Sequence, residues 1–99
     1  MSKRHPGAWV FRSMLFVPGH LERLIDKAAG SPADCVALDL EDAVPPHMKE
    51  EARRLIKARL SDGTFAGRCI MVRVNDFDTG MTDEDIDATA CEELDGYVY

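Results

Sequence analysis

Three carboxylates follow one apolar run of the chain and are the first candidates for chemistry. Asp39, Glu41 and Asp42 fall within four residues, directly after Cys35-Val-Ala-Leu38. Like charges this close repel one another unless a cation or ordered water shares them. The cluster therefore indicates a metal partner, an arginine partner or a proton-transfer group. The alternative is structural, with Asp39 and Glu41 capping the following loop and helix.

Arg73 is the sharper signal because it interrupts the apolar segment Val72-Arg73-Val74-Asn75. A guanidinium inside a strand needs a partner when it is buried. Its planar fork also matches the two oxygens of a substrate carboxylate. We expect the Glu41/Asp42 pair to hold Arg73 when no substrate is bound. A purely structural ion pair is the alternative.

Other cations and one turn are weaker candidates. Lys27, Lys49 and Arg53 lie on predicted helices and could reach the phosphates of a large cofactor, but each alone is more typical of a solvated helix surface. Pro18-Gly19 precedes a helix and is compatible with either an anion-binding turn or a plain tight turn. We expect the adjacent His20 on the surface.

Alternating strand and helix patterns must position these residues. Apolar runs predict strands that start near residues 13, 35, 70 and 96, and helical spacing is typical of the segments at 21–29, 48–59 and 82–94. Thr82 and Asp85 resemble a capping box at the start of the third helix. The order β-α-β-α-β-α-β implies a parallel sheet with right-handed crossovers.

Two ways of closing this sheet stay open: a doubly wound sheet or the first half of a (β/α)₈ barrel. The mean spacing between strand starts is ~28 residues, close to the roughly 31 per unit of such a barrel. In both architectures the working residues lie at the carboxyl ends of the strands. We therefore expect Pro18 to His20, Asp39 to Asp42 and Arg73 to Asp76 to share one rim.

Composition narrows the function classes. The chain has 99 residues and a net charge of −6, which allows one small domain. Residues 76–95 hold nine acids and no Lys or Arg, typical of a solvated helix face. This charge balance gives little support to nucleic-acid binding, which usually needs a basic face. The sequence contains no run of 18 apolar residues, so it predicts no transmembrane helix and we expect no membrane partner.

Cysteine usage and the termini complete the domain prediction. Cys35, Cys69 and Cys91 form no C-x-x-C pair, which argues against a zinc site or a disulfide framework. Cys35 and Cys69 lie beside apolar runs, which favours small buried thiols in a reducing cytoplasm. Residues 1–11 are expected to form an N-terminal extension too interrupted to direct export. Residues 12–99 form the domain, and its last predicted strand has no visible end. We expect a longer protein or a truncated gene product.

Three linked motifs carry a resemblance to a known family, the citrate lyase β-subunit family. Its citryl-CoA and malyl-CoA lyase-like members belong to the HpcH/HpaI aldolase superfamily. The resembling segments are Arg12-Ser-Met-Leu-Phe-Val-Pro-Gly19, Ala37-Leu-Asp-Leu-Glu-Asp-Ala-Val44 with Lys49 to Arg53 after it, and Val72-Arg-Val-Asn75. The resemblance implies an α/β fold, the N-terminal half of a (β/α)₈ TIM barrel. It also implies a Mg²⁺-dependent carbon–carbon lyase on acyl-CoA thioesters of hydroxy acids, which releases acetyl-CoA and an oxo acid.

The resemblance also implies roles for individual residues. Arg73 would bind the carboxylate and oxo group of the oxo acid, and Glu41 and Asp42 would orient Arg73 and metal-bound water. Phe16 and Lys27 would line the substrate or CoA pocket. An enolate formed in such a cleavage is stabilised by a cation beside a guanidinium.

Some implications concern what this chain lacks. The family's Mg²⁺ ligands come from later strands, so no metal ligand is expected before Tyr99 and the chain alone is expected to be inactive. The complete enzyme is expected to be a homo-oligomer, a trimer or hexamer. His20-Leu-Glu-Arg23 departs from the Asp-Arg-Pro-Glu-Arg of many relatives, which puts the CoA or acid contact there in doubt. The particular acyl-CoA, and a lyase or thioesterase outcome, stay open.

Two other function classes compete with the lyase. Ala37-Leu-Asp-Leu-Glu-Asp42 partly resembles the phosphoacceptor strand of a receiver domain, but such a domain needs an acidic pair where this chain has Val17-Pro18-Gly19. The other alternative is a non-catalytic fragment or interaction subunit. A half barrel has two open strand edges and an uncovered apolar face, so self-association is expected.

Overall fold

Four short apolar segments form one parallel sheet in the computed structural model, which describes residues 13–98. The strands pair in chain order, so each crossover leads to the next strand in the sheet. The predicted α/β order is confirmed and is that of the N-terminal part of a TIM-barrel-like fold. The strands are β1 (Met14–Pro18), β2 (Cys35–Asp39), β3 (Cys69–Arg73) and β4 (Gly96–Val98).

Three helices connect the strands: α1 (Glu22–Ala29), α2 (Lys49–Ser61) and α3 (Thr82–Thr89). Short 3₁₀ turns at Pro46–Met48 and Phe77–Thr79 precede α2 and α3. Alternate strand residues point to the same side of a sheet, and on one side they meet the apolar stripes of the helices. This core includes Val36, Leu38, Ile70 and Val72 from the sheet and Ile25, Ala52, Ile56 and Leu60 from the helices.

The strand register sets the level of the candidate site. Pro18 lies opposite Asp39, and Asp39 lies opposite Arg73, at the carboxyl ends of β1, β2 and β3. All three side chains therefore share the face of the sheet that the helices do not cover. Phe16, two residues before Pro18, points to the same face. The register confirms that the predicted strand ends meet at one rim.

The third helix differs from the sequence prediction. Spacing of Ile86, Ala90 and Leu94 predicts a helix to residue 94, but α3 ends at Thr89 and Ala90 has an extended backbone. The capping-box interpretation is also wrong, since Met81 is the N-cap and the Thr82 hydroxyl donates to the Asn75 carbonyl over 2.7 Å. Asp85 turns inward because it finds buried donors there, as described below.

The β1 side of the domain exposes large apolar side chains. Leu15 and Phe16 of β1, Leu21 and Leu24 are each about two-fifths exposed. β1 and β4 are the outer strands of the described sheet. The expected open edge and partly uncovered apolar face are thus present, and self-association stays a prediction. None of the helices between residues 13 and 98 is long and apolar enough to cross a bilayer.

Gly19 allows the ends of β1 and β2 to approach closely, and its replacement tests this contact. Its N–H donates to the Asp39 carbonyl over 2.8 Å, and an added Cβ would lie 2.6 Å from both that oxygen and Ile56 Cδ1. We expect Gly19→Ala to lower the free energy of unfolding by about 1–3 kcal/mol in urea titrations. Gly30→Ala is the control, because its Cβ would meet only the Lys27 carbonyl at 3.9 Å. Equal effects of the two substitutions would contradict the close-approach explanation.

Candidate active site

Asp39 and Arg73 form a two-pronged ion pair at the rim of the sheet. Arg73 Nε donates to Asp39 Oδ1 over 2.9 Å, and an Arg73 Nη donates to Asp39 Oδ2 over 2.6 Å. Asp39 is 1% exposed, whereas the Arg73 side chain is 26% exposed. The carboxylate also accepts hydrogen bonds from the backbone N–H groups of Glu41 and Ala43. The pair is therefore fixed on the protein side and open on the guanidinium side.

These contacts determine the charge state of the pair. Burial alone would raise the pKa of Asp39, but the hydrogen bonds from Arg73, Glu41 N–H and Ala43 N–H outweigh burial and hold the pKa below its usual value. The hydrogen bond and charge of Asp39 in turn raise the pKa of Arg73. Both groups are ionised at neutral pH, so Arg73 presents a permanent, oriented positive charge.

The main partner of Arg73 differs from the one that the sequence predicts. Glu41 Oε1 lies 3.5 Å from Arg73 Nε and makes a secondary contact, while Asp42 is exposed. Asp39 takes the principal place because strand pairing sets it directly opposite Arg73, and Glu41 and Asp42 lie beyond the end of β2. The structural alternative is also correct for Asp39, which caps the loop backbone as well as holding Arg73.

Phe16 supports the guanidinium from β1. Arg73 Cζ lies 4.9 Å from the centre of the Phe16 ring, within cation–π distance. Among the described residues, the second Nη of Arg73 donates no hydrogen bond, so it is the donor left for a ligand. Arg73, Glu41 and Phe16, three of the residues predicted from the sequence, are thus brought together.

The pKa of the Glu41 carboxyl group is raised above its usual value. Partial burial, followed by the neighbouring carboxylates of Asp42 and Asp76, raises the pKa of Glu41, although Arg73 opposes the change. The rim therefore combines a fixed cation with a carboxyl group that holds its proton more readily than an isolated glutamate. This combination can bind a carboxylate and serve proton transfer beside it.

Lys49 is a buried contributor to the rim that the sequence interpretation missed. Lys49 is 9% exposed. Its ammonium group donates hydrogen bonds to the Leu40 carbonyl over 2.7 Å, to the Glu41 carbonyl over 2.6 Å and to Asn75 Oδ1 over 2.9 Å. This contradicts the expectation of a solvated or phosphate-binding lysine. A signal was present in the sequence: Lys49 precedes Ala52, Ile56 and Leu60 at helical spacing, on the buried stripe of α2.

Asp85 and Arg53 form the layer behind Asn75. The Asp85 carboxylate is fully buried. Its Oδ2 accepts hydrogen bonds from Asn75 N–H over 2.8 Å and from Asn75 Nδ2 over 2.7 Å. Its Oδ1 accepts a hydrogen bond from Arg53 Nε over 2.7 Å. Arg53 also contacts Glu84. Arg53 is therefore engaged in the interior and does not extend toward a cofactor phosphate, and one member of the acidic stretch is a core residue.

The remaining predicted residues lie around β1. Lys27 is exposed on α1 and lines, with Leu15, Phe16 and Leu24, a groove of about 270 Å³ along β1. Gly19 N–H is already bound to the Asp39 carbonyl, which favours the plain turn over an anion-binding turn. His20 is only partly exposed, and its buried Nδ1 has no hydrogen-bond partner within residues 13–98.

The described residues do not form a metal site by themselves. Between residues 13 and 98, no group of three or more His, Cys, Asp or Glu side chains is arranged to hold a metal ion. The candidate site within this part of the chain consists of Arg73, Asp39 and Glu41.

The predicted burial of two thiols is confirmed. Cys35 and Cys69 are buried, with their Sγ atoms 3.0 Å apart at the amino ends of β2 and β3. Burial, then the neighbouring Cys69, raises the pKa of the Cys35 thiol. The Cys35 thiol is therefore protonated at neutral pH, and both thiols pack at the end of the sheet opposite the candidate site.

Comparison with known proteins places the site in a family. The model of the HpcH/HpaI aldolase/citrate lyase family matches residues 12–98. The chain therefore belongs to this family, as its three motifs predict.

Individual relatives carry several enzyme names. A (3S)-malyl-CoA thioesterase of Cereibacter sphaeroides is 44% identical over 85 residues, 86% of this chain and 30% of that protein. The mitochondrial citramalyl-CoA lyase of Homo sapiens is 38% identical over 76 residues, 77% of this chain and 22% of the relative. Citrate lyase subunit beta of Leuconostoc mesenteroides subsp. cremoris is 34% identical over 84 residues, 85% of this chain and 28% of the relative. The chain thus spans less than a third of the length of these proteins.

The Asp39–Arg73 pair makes the stability of the chain depend on pH. Because the folded-state pKa of Asp39 is lowered, its stabilisation is complete above the unfolded-state pKa of about 3.9 and is lost as pH falls through the folded value. We expect Asp39→Asn to lower the free energy of unfolding at pH 7 by roughly 2 kcal/mol and to flatten its fall in acid. Urea unfolding at a series of pH values measures both effects.

The exposed Asp42 supplies the matched control for this measurement. Asp42→Asn, three residues along the same segment, should change the free energy of unfolding at pH 7 by no more than about 0.5 kcal/mol. An acid profile of Asp39→Asn that matches the unsubstituted chain would contradict the ionised pair.

Proposed function

We propose that the protein containing this chain is a carbon–carbon lyase on CoA thioesters of hydroxy acids, of citryl-CoA or malyl-CoA type. The supporting observation is the Arg73 guanidinium, which Asp39 fixes in two-pronged fashion with Phe16 against it and with one amino group free. Such a group suits the carboxylate of an oxo acid. Family membership, with relatives named for CoA-thioester reactions, supports the substrate class.

The reaction places charge where Arg73 can act. When the bond between the hydroxyl-bearing carbon and the thioester α-carbon breaks, the hydroxyl loses its proton and becomes an oxo group. The bonding electron pair passes to the thioester as an enolate, which takes a proton to give acetyl-CoA. We propose that Arg73 binds the carboxylate and the developing oxo group of the departing oxo acid. A preoriented donor of this kind needs no rearrangement during the reaction.

The neighbouring residues are assigned supporting roles. Asp39 orients Arg73, and Glu41, 3.5 Å from Arg73 Nε, helps to orient it together with Asp42 and water. Phe16 forms the wall of the acid subsite against the guanidinium. Lys27 lies on the groove beside β1, where its charge suits the CoA portion of the substrate.

Several properties of the complete protein belong to the same proposal. Residues 12–99 form the N-terminal part of a (β/α)₈ lyase domain that works as a homo-oligomer, a trimer or hexamer, in the cytoplasm. Mg²⁺ is required and is bound by residues of the longer protein that follow Tyr99, so this chain alone is inactive. The receiver-like alternative is disfavoured because Asp39 is 1% exposed and its oxygens already accept four hydrogen bonds.

Thioester hydrolysis is the second candidate activity, and the relative named as a malyl-CoA thioesterase favours it. Both reactions begin from the same bound hydroxyacyl-CoA, so the carboxylate recognition proposed for Arg73 serves either one. They differ in their products: a lyase gives acetyl-CoA and an oxo acid, whereas hydrolysis gives free CoA and the hydroxy acid.

Replacement of Arg73 tests the proposal. In the full-length protein we expect Arg73→Ala to lower kcat/KM for the hydroxyacyl-CoA by about 10²–10³-fold while the protein stays folded. Arg54→Ala is the control, because the Arg54 side chain is 76% exposed on α2 and contacts Glu51. Steady-state rates with circular dichroism as the folding check decide the matter. Unfolding of Arg73→Ala would make the arginine structural, and unchanged kcat/KM would refute its proposed role.

Product analysis tests the reaction and the metal together. We expect the full-length protein with Mg²⁺ to convert malyl-CoA or citramalyl-CoA into acetyl-CoA and an oxo acid, and chelation by EDTA to abolish the reaction until Mg²⁺ is restored. Chromatography of the CoA products distinguishes acetyl-CoA from free CoA. Free CoA and hydroxy acid as the first products would establish the thioesterase alternative. Full activity in EDTA would contradict the metal requirement.

A further inference from the structure

We infer that Lys49 is a positioning residue that sets the rim around Arg73 by joining the loops after β2 and β3 through one buried ammonium. The inference rests on the proposed binding of an oxo acid at Arg73. Lys49 itself lies behind the rim and is assigned no contact with substrate.

The first step of the argument is the number of hydrogen bonds at Lys49. An ammonium has three N–H donors, and all three are used. Two go to consecutive carbonyls, those of Leu40 and Glu41, directly after β2. The third goes to Asn75 Oδ1, two residues after Arg73. One group therefore fixes the loop that carries Glu41 relative to the strand that carries Arg73.

The second step is the cost of this arrangement. A buried ammonium loses its hydration, and within the described residues Lys49 makes no ion pair, since its partners are two carbonyls and an amide. Fold stability alone would be served as well by an apolar residue on the stripe of Ala52, Ile56 and Leu60. The buried Lys49 ammonium is therefore better explained by the positions in which it holds the Leu40 and Glu41 carbonyls than by a contribution to stability.

The third step is the support behind Asn75. Its amide can meet Lys49 only if its rotation is fixed, and Asp85 fixes it by accepting from both Asn75 N–H and Nδ2. Asp85 is held in turn by Arg53 Nε. The chain of contacts runs from α3 through Asn75 and Lys49 to the Glu41 carbonyl. Glu41 therefore keeps its distance from Arg73 through contacts on α2 and α3, not through its own loop alone.

The test compares two lysines of α2 in the full-length protein. Lys49→Met removes all three donors. Lys57→Met is the matched control: Lys57 lies two helical turns after Lys49 on α2, and its ammonium donates a hydrogen bond to the Ala90 carbonyl. Pyruvate is the oxo-acid probe. Its dissociation constant is measured by calorimetry, and the Arg73 Nε–H NMR signal is recorded in the free protein. Urea unfolding reports stability separately.

We expect Lys49→Met to weaken pyruvate binding about tenfold and to shift the free-state Arg73 signal, with Lys57→Met within twofold of the unsubstituted protein. A merely structural role would lower stability and leave both readouts of the folded protein unchanged, which overturns the inference. If Lys49→Met does not fold, Lys49→Arg, which keeps the charge but not the compact ammonium, is judged by the same two readouts. Unfolding of both variants would also overturn it.

Failure of the proposed function gives a different result. The assignment of the oxo acid to Arg73 fails if the unsubstituted protein binds neither pyruvate nor glyoxylate nor oxaloacetate, the last two being the oxo acids released from malyl-CoA and citryl-CoA. It also fails if Arg73→Ala binds the oxo acid equally well. The positioning inference is then decided by the free-state signal alone. A shift of the Arg73 Nε–H signal in Lys49→Met, absent in Lys57→Met, supports it, and no shift overturns it.

Discussion

The pairing of Asp39 with Arg73 is the interaction on which the rest of the site depends. A guanidinium binds a carboxylate more tightly when its plane is fixed before the ligand arrives. Otherwise the conformational entropy lost on ordering the side chain weakens binding. Asp39 fixes that plane with two hydrogen bonds and is itself held by two backbone N–H groups. Because Asp39 and Arg73 are the last residues of neighbouring strands, the register of the sheet determines how closely their side chains are positioned.

Further buried charges lie behind this pair. Lys49 and Asp85 make hydrogen bonds to the segments that follow β2 and β3, and Arg53 on α2 supports Asp85 from behind. Removing one partner would leave another charge without compensation, so the set responds as a unit. On α2, the apolar residues Ala52, Ile56 and Leu60 follow Lys49 on the same buried stripe and contribute to the core.

The sequence predicts the fold better than it predicts the contacts. Local periodicity is enough to place the strands and helices, and their alternating order is enough to predict four parallel strands and a shared rim. The choice of Asp39 over Glu41 and Asp42 required the register, a long-range property that single-residue shifts change completely. Lys49 and Asp85 were missed for another reason. Lys49 lies on the apolar stripe of α2, which could have outweighed its charge. Asp85 had no such signal, because its burial depends on the distant donors Asn75 and Arg53.

The uncovered face of the sheet links burial to function. A parallel sheet is stable when both faces are covered, and the helices cover only one face of this sheet. The other face carries Phe16, Met71 and Arg73, all partly exposed, and it is the face on which Asp39 orients the guanidinium. Under the proposed function, residues that cover this face would also form the opposite wall of the acid subsite and exclude water from it. Lower local polarity would then strengthen the attraction of Arg73 for a carboxylate.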